Sequence, residues 1–408
     1  MKDEESNVGR VIHVSEKAGG DRLVVLLIGD MEQEIAWSGP SPVEGDVFLV
    51  SLREPLRILR KIGSSQPGAW NVETDAMRWR RRNRRGQTRM EALWQRHHIR
   101  RAVREYFDGE GFIEIDAPLL VRGTTPDATI QSFAVDDRYL VTSSEYQIKR
   151  LEVAGFDRIY TLAHNYRRAD GEGPYRNPEF TMLEWARVGQ SLADIESDAE
   201  QVVWRAHREL GGTGKIVVND HEVDVTPPWD RLTVIEAVAR FVGTRLADFS
   251  LASITAALAT AGVDIRETWK GDVHFLFSLL LDHIQPHLGV PRPVFLQDWP
   301  AFETSSTREK PGQPVAERSE LFIGGIEISD GFPSLTDPAR QAQAFARQQE
   351  RRARAGTASV DVDTTYLEAL RAGLPEGAGM ALGFDRLVMV LTDRTDIKSV
   401  LPFAWDEV

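Results

Sequence analysis

The chain has 408 residues and no cysteine, which excludes disulfides and cysteine-ligated zinc. Lysine and arginine number 49 against 62 aspartates and glutamates, a net charge of −13 that argues against general non-specific nucleic-acid binding. Hydrophobic residues make up 42%, the N-terminus "MKDEESNVGR" lacks the apolar core of a leader, and runs such as "FLFSLLL" are too short for a membrane span; the expectation is a soluble cytoplasmic protein without a membrane partner.

In chain order, "VGRVIHV", "RLVVLLIG", "QEIAWSG" and "DVFLVSL" read as short strands between Gly, Pro and Asp turns, a small all-β domain over 1–62 of oligonucleotide-binding (OB-like) type. A linker follows, given as 62–76 on turn residues and as 63–90 with the basic stretch included; ten arginines fall between Arg78 and Arg101. Residues 91–408 are expected to form the catalytic domain. Ile99, Val103, Tyr106 and Phe107 have helical spacing, and "FIEIDAPLL" is extended, closed by Pro118. "YLVTSSEYQIKRLEVAG" reads as strand then helix, with Ser144 and Gln147 as a capping box and Gly155 as the stop. "RIYTLAHNYRRA" and "EFTMLEWAR" predict a hairpin, and 191–290 are mostly helical. "PVFLQDWPA" returns to strand, "SELFIGGIEISDGF" gives two strands or one bent strand, two helices follow, and "GAGMALGFDRLVMVLTD" runs from strand into helix. The pattern is α+β with an antiparallel sheet.

Within "EFTMLEWAR", Phe180, Met182, Glu184 and Ala186 share one parity, so a ring and a carboxylate face the same way two steps apart. Arg167, Arg176 and Arg386 suit phosphates, because a guanidinium fork donates in pairs; Arg386 also sits at a predicted helix start, where free N–H groups favour an anion. Phe180 suits adenine, Glu145 and Glu184 suit ammonium groups, and Glu327 suits Mg2+. Taken singly, each has an ordinary structural explanation; their order and spacing carry the reading.

That order resembles the class II aminoacyl-tRNA synthetases of lysyl type. "GFIEIDAPLL" looks like motif 1, "YRRADGEGPYRNPEFTMLEW" like motif 2 and "GMALGFDRLVM" like motif 3, with similarity running over about 77–408. The resemblance implies a class II antiparallel sheet flanked by helices, a homodimer built through motif 1, and ATP with Mg2+. By it, Arg167 grips the α-phosphate, Phe180 stacks on adenine, Arg176 and Arg386 meet the outer phosphates, Ser143 and Glu145 hold the amino group, and Glu184 the distal ammonium. Ala381, where the lysyl-tRNA synthetase pattern has glycine, and Arg371 resemble the elongation factor P (R)-β-lysine ligase paralogue. The implied acceptor is then elongation factor P or a similar acidic protein, with tRNA as the alternative.

The pattern is broken at four places. The motif 2 glutamate is missing, with Asp170 as a substitute; Ala186 stands for a tyrosine; Asp330 stands for an asparagine; and Ser334 stands for a glutamate expected to bind metal, with Asp330 as a compensating ligand. Ala186 and Asp330 alter the amino-acid pocket and point to a β- or otherwise modified diamino acid rather than plain α-lysine, while Ser334 and the altered motif 2 point to an inactive paralogue. The competing readings are a tRNA-charging enzyme, an inactive paralogue that binds nucleotide or amino acid, and a small-molecule amide ligase.

Overall fold

The computed structural model of the chain describes residues 6–16, 22–28, 31–37, 42–51, 56–66, 79–168 and 173–408. Two compact units divide it, Met1–Trp94 and Gln95–Val408. In the first, strands β1 (Ser6–Glu16), β2 (Arg22–Ile28), β3 (Met31–Trp37), β4 (Val47–Ser51) and β5 (Arg57–Gly63) form one antiparallel sheet in the order β3-β2-β1-β4-β5. Alternation puts Val24, Leu26 and Ile28 of β2 with Val11, Phe48 and Val50 in its core. This is the small OB-like sheet expected, with one strand added: β5 is a charged, mostly exposed edge strand and carries no alternating apolar signal. Much of the expected linker falls on 67–78, outside the described residues.

The second unit holds thirteen further strands. Eight of them, β6 (Ile113–Glu114), β10 (Arg158–Tyr166), β11 (Glu179–Val188), β14 (Asp230–Thr233), β15 (Val294–Pro300), β16 (Val315–Ile323), β17 (Ile326–Pro333) and β18 (Gly377–Gly383), form a sheet ordered β14-β15-β16-β17-β18-β11-β10-β6. The pairs β6–β10 and β14–β15 are parallel and the rest antiparallel, so the expected antiparallel sheet is mixed at its two edges. The small strands β7 (Leu120–Val121), β8 (Ala134–Val135) and β9 (Arg138–Leu140) pair separately, as does the hairpin β12 (Lys215–Val218) with β13 (His221–Asp224).

Helices flank the sheet. Trp185 points away from the Glu184 face, as alternation requires, and meets Phe107 of the helix Arg89–Gly109 at 5.6 Å between rings. Its indole N–H donates to Asp198 of the helix Leu192–Glu209, and Arg187 forks onto the same carboxylate at 2.7 Å. One face is thereby sealed by buried rings and a buried ion pair. The opposite face stays open beneath the short helix Glu145–Val153.

Candidate active site

Strand register assembles the open face. Glu184 lies opposite Ala381, Ala381 opposite Asp330, and Asp330 opposite Glu320, across β11, β18, β17 and β16. Directly opposed residues present their side chains to the same face, so three carboxylates and one methyl stand in a row. They line a cavity of about 470 Å³ that also takes Phe180, Ser143, Glu145, Arg167, Arg176, Glu327 and Arg386. The ten residues matched in the sequence to nucleotide, amino acid or metal, from Ser143 to Arg386, therefore line one cavity, while Ser334 and Arg371 do not.

At one end, carboxylates are held by neutral donors. Ser143 Oγ donates to Glu184 at 2.5 Å and the Ser144 N–H at 2.7 Å. Burial raises the Glu184 pKa, opposed by those bonds and by Arg167. The capping box expected at Ser144 and Gln147 does not form: among the described residues Ser144 Oγ and Gln147 Oε1 have no hydrogen-bond partner, and the Ser144 N–H that Gln147 would accept from serves Glu184. Gly155 does take the left-handed conformation of a helix stop, at φ 104°. Glu145 is half-buried, with its Oε1 shut off from solvent and unpartnered among the described residues, and desolvation, countered by Lys149 and reinforced by Glu184 and Asp330, pushes its pKa up to about 7. Neither Glu145 nor Glu184 pairs with a cation among the described residues.

Asp330 differs. Its Oδ1 accepts from Arg318 Nε at 2.8 Å, while Arg318 also reaches Glu320 at 2.5 Å and the Glu303 carbonyl at 3.1 Å. Burial works against the Arg318 charge, but Asp330 and Glu320 outweigh it and raise its pKa. The charge that Asp330 adds is thus met from inside the protein through its Oδ1.

At the other end, guanidinium groups are held by neutral acceptors. Arg167 lies over the Phe180 ring at 5.2 Å and its Nε points to the Thr142 carbonyl at 3.4 Å. Arg386, in the first turn of the helix Phe384–Leu391, donates to the carbonyls of Tyr175 at 3.2 Å and Glu327 at 2.9 Å, with the Glu327 carboxylate 3.5 Å away. Asp385 ties that helix start to the sheet, accepting from the Thr181 N–H at 2.7 Å and from Arg96. No group of three or more metal-ligand side chains occurs among the described residues. Glu327 and Glu320 both line the cavity near Arg386, and Mg2+ bound to phosphate needs only one or two carboxylates. Ser334 is buried with an unpartnered Oγ and its N–H on the Gly377 carbonyl, and Asp170 lies outside the described residues.

Sequence reasoning passed over Arg318, Glu320 and Lys149. Glu320 shares the alternating pattern of β16, but its alignment with Asp330 depends on a register that follows an irregularity at Leu321–Phe322. Only the strand pairing shows it.

The family model for class II tRNA synthetases (D, K and N) matches residues 73–407. A lysine–tRNA ligase of Magnetococcus marinus is 32% identical over 309 residues, covering 74% of this chain and 61% of that protein. One from Dehalococcoides mccartyi is 32% identical over 318 residues, 76% and 63% of the two chains. A third, from Pelotomaculum thermopropionicum, is 30% identical over 382 residues, 88% and 74%. The chain thus spans under two thirds of the length of the first two, at 61% and 63%.

Proposed function

We infer the function from one premise: the chain belongs to the class II tRNA synthetase family (D, K and N). We propose that it is an ATP-dependent, AMP-forming ligase that activates a lysine-like diamino acid and transfers it to a protein lysine, on elongation factor P or a similar acidic protein. The observation that carries this is the pair of carboxylates Glu184, which is buried, and Glu145, which is half-buried with one oxygen shut off from solvent, held without a cation partner among the described residues. Two such groups call for two ammonium groups, since a buried charge left unpaired is costly.

In the proposed reaction an oxygen of the substrate carboxylate attacks the α-phosphorus of ATP, and the bond to the bridging oxygen breaks to release pyrophosphate. Phe180 stacks on adenine, Arg167 holds the α-phosphate, and Arg176 and Arg386 hold the departing charge. Ser143 and Glu145 hold the amino group and Glu184 the distal ammonium; Ala381 spaces Glu184 from the Asp330–Arg318 pair. Glu327 would hold Mg2+, which neutralises phosphate charge when bound. An acceptor amine then attacks the acyl carbon and AMP leaves. Catalysis is positioning and charge stabilisation, with no protein nucleophile.

ATP–pyrophosphate exchange without acceptor, across α-lysine, (R)-β-lysine, ornithine and aspartate, tests the activation step. Exchange with a diamino acid and none with aspartate is expected; exchange with none of the four, in folded protein, overturns it. The names of the relatives favour a second reading, in which the acceptor is tRNA. An alkali-stable amide on protein supports the first acceptor, an alkali-labile ester on tRNA the second. Homodimer formation through the Pro118 segment, taken from the resemblance, is checked by light scattering.

A further inference from the structure

The cavity has a wall beyond Glu184. One step along β11 lies Ala186, opposite Gly379 of β18, which in turn lies opposite Phe332. A side chain at Gly379 is barred: its Cβ would stand 3.0 Å from the Trp185 carbonyl and 3.5 Å from both Ala186 Cβ and Lys149 Nζ. The amine tip of Lys149 therefore stands over Gly379, beside Ala186, on which Ile148 packs. Lys149 is buried, lines the cavity, and makes no hydrogen bond to a described residue. It forms an ion pair with Glu152 Oε1 at 3.5 Å, an oxygen that accepts no hydrogen bond among the described residues.

A cation so placed sits behind the acid that would receive the substrate's side-chain amine. We propose that Lys149 is a specificity-determining residue, an electrostatic stop that limits how far a diamino acid's amine extends past Glu184. This rests on the diamino-acid reading above. Ala186 and Gly379 put no long side chain at this wall, and the Lys149 amine is what a longer chain would meet there. An amine that reaches Glu184 gains a carboxylate; one that passes it meets a like charge in a poorly solvated space, where repulsion is strong. Glu152 tethers the Lys149 amine from one turn along the same helix.

The test is ATP–pyrophosphate exchange with a ladder of 2,4-diaminobutyrate, ornithine, lysine and homolysine. For the wild type, kcat/KM is expected to fall by tenfold or more at one rung and to stay low beyond it. Lys149→Met combined with Glu152→Gln, which removes both charges and keeps the volume, should move that fall by at least one methylene, with the KM for ATP unchanged. Glu152→Gln alone keeps the cation, strips its counter-ion and should sharpen the fall. A ladder whose cut-off stays put in both variants, or drops equally at every rung, overturns the stop while leaving diamino-acid activation standing. No exchange on any rung by the wild type removes both.

Discussion

The two ends of the cavity are mirror images in charge. Towards Phe180, the cations Arg167 and Arg386 are oriented by the carbonyls of Thr142, Tyr175 and Glu327. Towards Ser143, the acid Glu184 is oriented by a hydroxyl and a backbone N–H. In both places the hydrogen bonds that set the charged group's direction come from neutral partners, with the Glu327 carboxylate an additional ionic neighbour of Arg386 at 3.5 Å. Arg318 with Asp330 and Glu320 is the contrast, since each charge there is answered by another. Neutral anchoring marks groups that wait for something; ionic anchoring marks groups that hold the wall.

The widest break in this comparison is expected at the ionic anchor. Arg318→Met leaves Asp330 and Glu320 facing each other across adjacent strands and should cost about 3–5 kcal/mol of stability, read as a drop in the denaturant midpoint. Arg386→Ala, by contrast, should keep its unfolding midpoint and lose exchange by about 10³-fold; exchange within a few-fold of wild type would break the comparison. Glu184→Gln sharpens it from the other end, with the KM for a diamino acid rising on the order of 10²-fold while that for ATP stays near wild type.

The smallest effect concerns pH. Glu145 must be ionised to take an ammonium, so with its pKa at about 7 the kcat/KM for the amino acid should rise with pH through that value, and Glu145→Gln should flatten the rise. The sign for stability is opposite. A carboxyl raised from 4.5 to about 7 binds more proton folded than unfolded, so its contribution is full below pH 4.5 and is lost as pH rises towards 7. Calorimetry of Glu145→Gln against wild type across that window checks it.

Phe180 and Glu184 were legible because alternation alone places them on one face, and Arg386 because a strand running into a helix puts a helix start there. Arg318 was not, because its partners lie on the adjacent strand and two residues along its own, and pairing register is not written in any single segment. Ser144 shows the converse. Its local signal for a capping box is sound, but the buried Glu184 claims its N–H from forty residues away. Strand β5 escaped because an exposed edge strand needs no apolar alternation.

The row Glu184–Ala381–Asp330–Glu320 makes the site digital. Neighbouring strands stand about 4.8 Å apart, and a slip of one residue sends every side chain of a strand to the far face. Single-residue insertions or deletions within β11, β17 or β18 therefore have no graded outcome. They would exchange Ala381 for Met380 or Leu382, or turn Glu184 towards Phe107, all at once. New substrates are reachable here by replacing letters at fixed points of a lattice, and closed to any route that slides the strands.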